Sequence, residues 1–319
     1  MTGPTGTLGA GLLPLLESDD RVARVVGLAR HPVSPDPDSK LTYHQGDVRD
    51  PDDLHTAFDG ADAVVHLAFV VVRAASPETT RQINIDGTLQ AFRAAAAAGA
   101  RRFVFASSLA AYGFHPDNPV WLTEDWPTRP AARLWYAQEK AELETRLADE
   151  AARHPETDVY VVRPCAVAGP RFVGAKGPAW AQRLLSRLRD PSGRVRRLPP
   201  LPVPAPAIDV QFVHADDVGQ ALHRCALGTG PAGAYNLAGD GVVNLAEVAR
   251  AVGLRPIPIP ARVVRPAVRA AMRLPLPGAL TWLEFAVRPG FLDTSKAREQ
   301  LGWAPRYTGL DAIRDTVGQ

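Results

Sequence analysis

Tyr136 and Lys140 lie four positions apart in the segment Tyr136-Ala-Gln-Glu-Lys140. On an α-helix this spacing places both side chains on one face. A lysine ammonium beside a phenol favours the ionised phenolate and lowers the phenol pKa from its ordinary value of about 10. The pair therefore predicts a tyrosine that exchanges protons near neutral pH, with a solvated helix face as the alternative.

Ser108 ends the apolar segment Phe103-Val-Phe-Ala-Ser-Ser108. A serine just beyond the carboxyl end of a buried strand lies where open α/β sheets bind their ligands. Its hydroxyl could hydrogen-bond a reacting oxygen, whereas the alternative is a serine that only caps a helix or forms a turn.

Gly3, Gly6 and Gly9 follow one another at intervals of three near the N-terminus. Glycines at this spacing allow a backbone turn to approach a pyrophosphate at the start of a helix, although an ordinary flexible loop is the alternative. A buried strand should precede such a turn, yet only Met1 and Thr2 do so. We therefore expect the first, central strand to be missing and the true start to lie upstream of Met1.

Short apolar segments alternate with helical ones in the first half of the chain, which is typical of parallel βαβ units. Strands are predicted at residues 24–29, 41–44, 63–68, 102–106, 159–163, 208–214 and 234–237. Helices are predicted at residues 51–58, 77–98, 131–153, 178–189, 215–227 and 245–252, with Asp50 capping the first. The pattern predicts an α/β protein with a doubly wound sheet.

The sequence changes in character after Gly169, where prolines become frequent. Residues 198–206 are predicted to be extended and irregular. We predict a dinucleotide-binding domain at residues 1–168, to which residues 208–230 return. The substrate-binding lobe is predicted at residues 169–207 and 231–319.

The composition is that of a soluble globular protein, with 46% hydrophobic and 22% charged residues among 319. A net charge of +2 is too small to indicate a nucleic-acid partner. Only Cys165 and Cys225 occur, which excludes a disulfide framework and favours a reducing cytoplasm. Neither a long apolar run nor a signal peptide is evident, so we expect no membrane partner, and we predict no metal site.

The three motifs together resemble the extended short-chain dehydrogenase/reductase family, also called the NAD-dependent epimerase/dehydratase family. Further matching segments follow in the family's order along nearly the whole chain. They are Gly46-Asp47-Val48, His66-Leu67-Ala68, Asn84 in Asn-Ile-Asp-Gly-Thr, Arg163-Pro164, Phe212-Val-His-Ala-Asp-Asp217 and Leu301-Gly-Trp-Ala-Pro305.

The resemblance implies a doubly wound Rossmann sheet with a smaller C-terminal substrate lobe. Tyr136 would exchange a proton with the substrate, Lys140 would hold the ribose, and Ser108 would hydrogen-bond the reacting oxygen. The cofactor-binding residues that it implies are Gly3, Gly6, Thr7, Leu8, Gly9, Arg30, Asp47, Val48, Leu67, Ala68, Asn84, Ser107, Tyr136, Lys140, Arg163 and Pro164. The family's common homodimer suggests residues 77–98 and 131–153 as contact faces.

Arg30 follows the predicted second strand, where a carboxylate would suit NAD and an arginine suits the 2'-phosphate of NADP. Leu109 and Ala110 stand where family dehydratases carry Asp-Glu, and Val210 stands where UDP-sugar epimerases commonly carry arginine. We therefore expect an NADP-dependent oxidoreductase that transfers hydride between its cofactor and a small-molecule carbonyl or alcohol. The alternatives are a nucleotide-sugar epimerase and a non-catalytic, dinucleotide-binding regulatory protein.

Overall fold

A computed structural model of the chain describes residues 1–31, 36, 38–71, 76–170, 201–271 and 290–318. The first half contains α1 (Thr7–Ser18), β1 (Val25–Ala29), β2 (Leu41–Gln45), α2 (Pro51–Phe58), β3 (Ala63–His66), α3 (Pro77–Arg81), α4 (Gly87–Ala97), β4 (Arg102–Ala106), β5 (Trp121–Leu122), α5 (Trp135–Ala151), β6 (Asp158–Pro164) and β7 (Ala166–Ala168). The second half contains β8 (Pro202–Pro206), β9 (Asp209–Val210), β10 (Phe212–His214), α6 (Ala215–Ala226), β11 (Gly233–Leu237), β12 (Val243–Asn244), α7 (Leu245–Ala251), β13 (Arg255–Ile259), α8 (Ala261–Ala271), β14 (Phe291–Leu292), α9 (Ser295–Leu301) and α10 (Gly309–Thr316).

The central sheet is parallel. Its larger part has the order β11-β6-β4-β3, and β1 pairs with β2 beside it. Thr2 joins the two parts through parallel bridges to Leu28 and His66. Met1 and Thr2 thus hold the position of the central strand whose absence the sequence predicts. This strand order confirms the predicted doubly wound Rossmann sheet.

Helices cover both faces of the sheet because side chains alternate along each buried strand. On β4, Phe103 and Phe105 pack toward α2, α4 and α5, whereas Val104 packs toward α1 and α6. Gly11 of α1 and Gly219 of α6 allow α1 and α6 to approach each other closely. A Cβ atom at Gly11 would lie 2.5 Å from the Ala215 carbonyl oxygen. This contact fixes α1 against α6.

The predicted helix at residues 77–98 is divided by a π-helical turn at Gln82–Asp86, between α3 and α4. Single π-helical turns often occur at functional sites. Here the turn carries the fully buried Asn84. The predicted strand at residues 208–214 is divided into β9, which pairs with β12, and β10, which pairs with β7. The predicted helix at residues 131–153 begins only at Trp135. Asp50 caps α2 as predicted, by accepting a hydrogen bond from the Asp52 amide.

Residues 202–206, predicted to be extended and irregular, are extended but regular: they form strand β8 and pair in parallel with β13. The pairing is possible because the Arg255 amide donates to the Leu201 carbonyl and the Ala207 amide donates to the Ile259 carbonyl. Since alternate residues bond to the neighbouring strand, the intervening prolines place their donor-less nitrogens away from it. The predicted helix at residues 178–189 lies outside the described residues.

The chain beyond residue 230 also contributes to the central core. β11 pairs with β6, and Trp303 is buried in the same apolar cluster as Leu12 and Val104. The Asp217 carboxylate holds this tail by accepting hydrogen bonds from the Arg306 and Tyr307 amides at 2.9 and 3.2 Å. The core therefore draws on residues that the sequence assigns to the substrate lobe, and the division into domains stays a prediction.

Ion pairs lie on the outward sides of α4 and α5. Glu142 binds Arg81 at 2.6 Å and Arg146 at 3.2 Å, and Glu150 binds Arg93. The homodimer predicted through these helices would have to cover a charged surface and stays a prediction.

Candidate functional site

The glycine turn lies at the carboxyl edge of the sheet. Gly3 has φ +65°, and a Cβ atom there would lie 2.9 Å from the Ala68 nitrogen. At Gly9 an added Cβ atom would collide with the Pro4 carbonyl oxygen. Gly6 precedes α1, whose N-terminus has no side-chain cap, and Thr7 and Leu8 begin its first turn. The turn forms a close backbone cradle suited to a pyrophosphate.

Tyr136, Ser108 and Lys140 come together where β4 ends and α5 begins. The Tyr136 hydroxyl is hydrogen-bonded to the Ser108 side chain. Ser108 also accepts a hydrogen bond from the Ala110 amide at 3.2 Å, which fixes its rotamer at the start of a 3₁₀ turn. The Lys140 ammonium donates to the Ala106 carbonyl at 2.7 Å and lies 5.8 Å from the Tyr136 ring centroid.

Burial governs the electrostatics of this trio. It lowers the pKa of Lys140 to about 7, although the Glu144 and Glu139 carboxylates oppose this change. Burial raises the pKa of Tyr136, and the hydrogen bond with Ser108 offsets part of the increase. The lowered tyrosine pKa that the sequence predicts is therefore wrong for this state, because desolvation of the phenolate outweighs a distant ammonium. Tyr136 is a neutral phenol at pH 7, which suits a proton donor.

Phe69 covers Lys140. Its ring centroid lies 3.3 Å from the ammonium nitrogen, and its ring meets that of Tyr136 edge to face at 5.7 Å. A cation over an aromatic face is stabilised by the ring quadrupole, and the ring also excludes water from the ammonium.

Asn84 binds two neighbouring segments through its side-chain amide. Its oxygen accepts a hydrogen bond from the Val70 amide at 2.7 Å, and its nitrogen donates to the Val70 carbonyl at 3.1 Å. The same nitrogen donates to the Glu139 carboxylate at 2.7 Å. Asn84 therefore ties the loop after β3 to the helix that carries Tyr136.

A buried polar chain supports Leu67 and Ala68. Their amides donate to the Thr2 hydroxyl at 3.2 and 3.1 Å. This hydroxyl bonds Nδ1 of His66, whose Nε2 lies 3.0 Å from the Thr88 hydroxyl. Burial lowers the pKa of His66 to about 3, so the imidazole is neutral and can accept at one nitrogen and donate at the other.

Ser107 and Arg163 lie in a second buried network. The Arg163 Nε donates to the two Glu144 carboxylate oxygens at 3.1 and 3.0 Å, and the Ser107 hydroxyl donates to the same carboxylate. A further Arg163 nitrogen donates to the Tyr112 hydroxyl at 2.6 Å. Both side chains thus support the ends of β4 and β6, where Pro164 also lies, and their predicted cofactor contacts stay predictions.

Arg30 and Asp47 lie at the edge formed by β1 and β2. Arg30 is exposed directly after β1. The Asp47 carboxylate binds Arg49 through contacts of 3.0 and 2.7 Å, which hold the pKa of Asp47 below its usual range. Val48 is buried, and a Cβ atom at Gly87 would lie 2.9 Å from its side chain. The exposed Arg30 and the ion pair of Asp47 with Arg49 therefore lie at this edge, beside the buried Val48.

Three residues of the site belong to none of the predicted motifs, namely Phe69, Glu139 and Glu144. Glu139 and Glu144 follow Tyr136 by three and eight positions, so helical spacing could have placed both near its face. Phe69 carries no comparable signal because its position depends on the loop after β3. Its neighbours Leu67 and Ala68 were predicted only through the family resemblance.

Within the described ranges, no group of three or more histidine, cysteine, aspartate or glutamate side chains is arranged to hold a metal ion. Over the same residues, no helix combines the length and apolar character that crossing a bilayer requires.

Comparison with known proteins places this geometry in a family. Residues 1–238 match the NAD dependent epimerase/dehydratase family. A ceramide reductase of Caulobacter vibrioides (strain NA1000 / CB15N) is 30% identical over 316 residues, covering 96% of this chain and 85% of the relative. An uncharacterized protein of Mycobacterium tuberculosis (strain ATCC 25618 / H37Rv) is 26% identical over 326 residues, covering 99% of this chain and 82% of the relative.

Two solved structures share the fold. DesIV, a dTDP-glucose 4,6-dehydratase of Streptomyces venezuelae crystallised with NAD, has a TM-score of 0.73 and 23% identity, covering 99% of this chain and 94% of that chain. A UDP-glucose 4-epimerase of Thermotoga maritima with UDP-glucose has a TM-score of 0.72 and 19% identity, with coverages of 99% and 96%. With the match over residues 1–238, the chain belongs to the NAD dependent epimerase/dehydratase family.

Proposed function

We propose that the protein is an NADP-dependent oxidoreductase that reduces a carbonyl group of an apolar small molecule. The observation that carries this proposal is the hydrogen bond between Ser108 and a protonated Tyr136, next to the buried Lys140. Two hydroxyl groups that converge in this way can bind one carbonyl oxygen, and one of them can give it a proton.

A nicotinamide dinucleotide fits the residues at the sheet edge. The turn of Gly3, Gly6 and Gly9 leaves the N-terminus of α1 without a side-chain cap, as a pyrophosphate requires. Arg30, exposed directly after β1, supplies a cation for a 2'-phosphate, which favours NADP. The NAD bound to DesIV supports this class of cofactor. When bound, the cofactor supplies the hydride.

The protein's own residues prepare the carbonyl for reduction. Ser108 and Tyr136 donate hydrogen bonds to its oxygen, and Tyr136 transfers its proton as negative charge develops there. Lys140 stabilises the resulting phenolate. Its ammonium lies 5.8 Å from the centroid of the Tyr136 ring, and the attraction between opposite charges is stronger where there is little water. Because the pKa of Lys140 is about 7, its side chain gains and loses a proton near neutral pH and can pass a proton onward.

The surroundings of Tyr136 favour an apolar substrate. Tyr136 packs against a buried cluster that contains Ala110, Leu134 and Ala137. Val210 lies beside the buried Ile208 and Val264, where an arginine would suit a nucleotide diphosphate. The related ceramide reductase supports both reduction and a lipid-like substrate.

The test measures NADPH oxidation with a panel of long-chain ketones and keto-lipids, and the interconversion of UDP-sugars in a parallel assay. We expect turnover of an apolar ketone and loss of at least about 1000-fold in kcat for Tyr136→Phe, with NADPH affinity retained. Tyr43→Phe is the matched control, since this ring lies on β2. Epimerisation of UDP-glucose without ketone reduction would overturn the proposal in favour of the epimerase alternative.

A further inference from the structure

Glu139 is a carboxylate almost fully removed from water, with 3% of its surface exposed. It directly precedes Lys140 and follows Tyr136 by three positions on α5. The reaction proposed above assigns it no part. A carboxylate is seldom buried unless its charge is paired, because desolvation of a charge costs several kcal/mol.

We propose that Glu139 is a positioning residue that keeps Lys140 cationic and holds Asn84 against the cofactor-side loop. This inference rests on the proposed function for its cofactor and for its meaning in catalysis. The charge part is measured on the free protein and the positioning part through NADPH binding, and neither measurement needs a substrate.

The charge part follows from the groups that face Lys140. Tyr136, Glu139 and Glu144 face it from α5, and the neutral His66 faces it from β3. Glu144 is already ion-paired with Arg163 of β6, which compensates part of its charge. Glu139 interacts with Arg81 of α3 as well as with Lys140. Among the residues that the structure describes, Phe69, Phe105 and the Ala106 carbonyl also contact the ammonium, and none of these groups is charged.

The positioning part follows from the Asn84 contacts. One Asn84 nitrogen donates to both Glu139 and the Val70 carbonyl, so the carboxylate fixes the orientation of the amide. With this orientation, the amide oxygen accepts a hydrogen bond from the Val70 backbone nitrogen. The Val70 backbone continues directly from Ala68 and Phe69, which border the glycine turn and Lys140. Loss of the carboxylate would therefore loosen the loop that covers both.

Lysine NMR tests the charge part, because the chain contains only Lys40, Lys140, Lys176 and Lys296. Protein labelled with ¹³C at the lysine side chains is titrated as wild type, Glu139→Gln and Glu142→Gln. Glutamine keeps the shape and can still accept the Asn84 hydrogen bond, so we expect the Lys140 midpoint to fall by about one pH unit. The exposed-side control Glu142→Gln should leave it within about 0.2 unit. A Glu139→Gln midpoint equal to that of wild type overturns the inference.

NADPH binding tests the positioning part by calorimetry at pH 6. Glu139→Gln should bind within about threefold of wild type, because the hydrogen bond to Asn84 persists. Glu139→Leu should bind at least about tenfold more weakly, because this bond is lost. Wild-type affinity in Glu139→Leu, with folding verified by circular dichroism, overturns the inference. A protein that reduces no ketone yet shows both effects refutes only the proposed function.

Discussion

Replacing Lys140 with methionine removes a buried cation while keeping an unbranched side chain of similar length. In the folded protein Lys140 has a pKa of about 7, against its usual 10.5. Between these values the unfolded chain keeps the proton and the folded protein loses it. The unfolded state then binds more protons, so wild-type stability must rise with pH. The cost of burying the charge is fully present below pH 7 and diminishes above it.

The size of this effect follows from the pKa difference. Each pKa unit corresponds to about 1.4 kcal/mol. Integrated from pH 6 to pH 9, the free energy of unfolding of wild type should gain about 2–3 kcal/mol relative to Lys140→Met. The Lys140 ammonium donates a stronger hydrogen bond to the Ala106 carbonyl than the neutral amine does, and the pKa of about 7 already includes this difference.

Urea unfolding at pH 6 and pH 9, followed by tryptophan fluorescence, measures the difference in free energy of unfolding between wild type and Lys140→Met at each pH. Lys296→Met provides the matched control, since this side chain keeps contact with water on α9. For this control, the difference in free energy of unfolding from wild type should change by less than about 0.5 kcal/mol between the two pH values. If wild type and Lys140→Met differ in free energy of unfolding by the same amount at both pH values, the assignment of a buried, strongly desolvated ammonium is refuted.

Three further substitutions test the scaffold and the cofactor edge. Gly3→Ala adds a collision with the Ala68 nitrogen to a positive φ, whereas Gly60→Ala has a similar φ of +67° and open space. Urea unfolding should show a loss of about 1 kcal/mol for Gly60→Ala and at least about 2 kcal/mol more for Gly3→Ala. Arg163→Met leaves Glu144 buried without its partner and should cost about 3–5 kcal/mol, against less than about 1 kcal/mol for Arg101→Met in the exposed pair with Asp62. Calorimetry should show that Arg30→Asp lowers the ratio of NADPH to NADH affinity at least about tenfold, whereas the exposed Arg24→Asp leaves it unchanged. An unchanged ratio in Arg30→Asp would contradict the NADP assignment.

The sequence predicts the elements whose signals are local. The alternation of apolar strands with helices gives the doubly wound sheet, and Asp50 followed by Pro51 marks the start of α2. The spacing of Tyr136 and Lys140 places both on α5. In these cases one segment contains the whole signal, so no distant contact has to be known.

Features that depend on distant partners are not predicted. Prolines in β8 indicate irregular structure until β13 supplies the matching register. Tyr136 and Lys140 suggest a lowered tyrosine pKa, but burial by the surrounding elements determines its direction. The roles of Glu139 and Arg163 likewise depend on Asn84 and Glu144, which come from other parts of the chain.

Transfer of deuterium from NADPH that carries deuterium at both hydrogens of the nicotinamide C4 tests the central claim most directly. Mass spectrometry of the product of an apolar ketone should show one deuterium bound at the former carbonyl carbon with the wild-type protein. Tyr136→Phe should form this product at least about 1000-fold more slowly at saturating cofactor. An unlabelled product, or an undiminished rate in Tyr136→Phe, would contradict a hydride transfer in which Tyr136 supplies the proton.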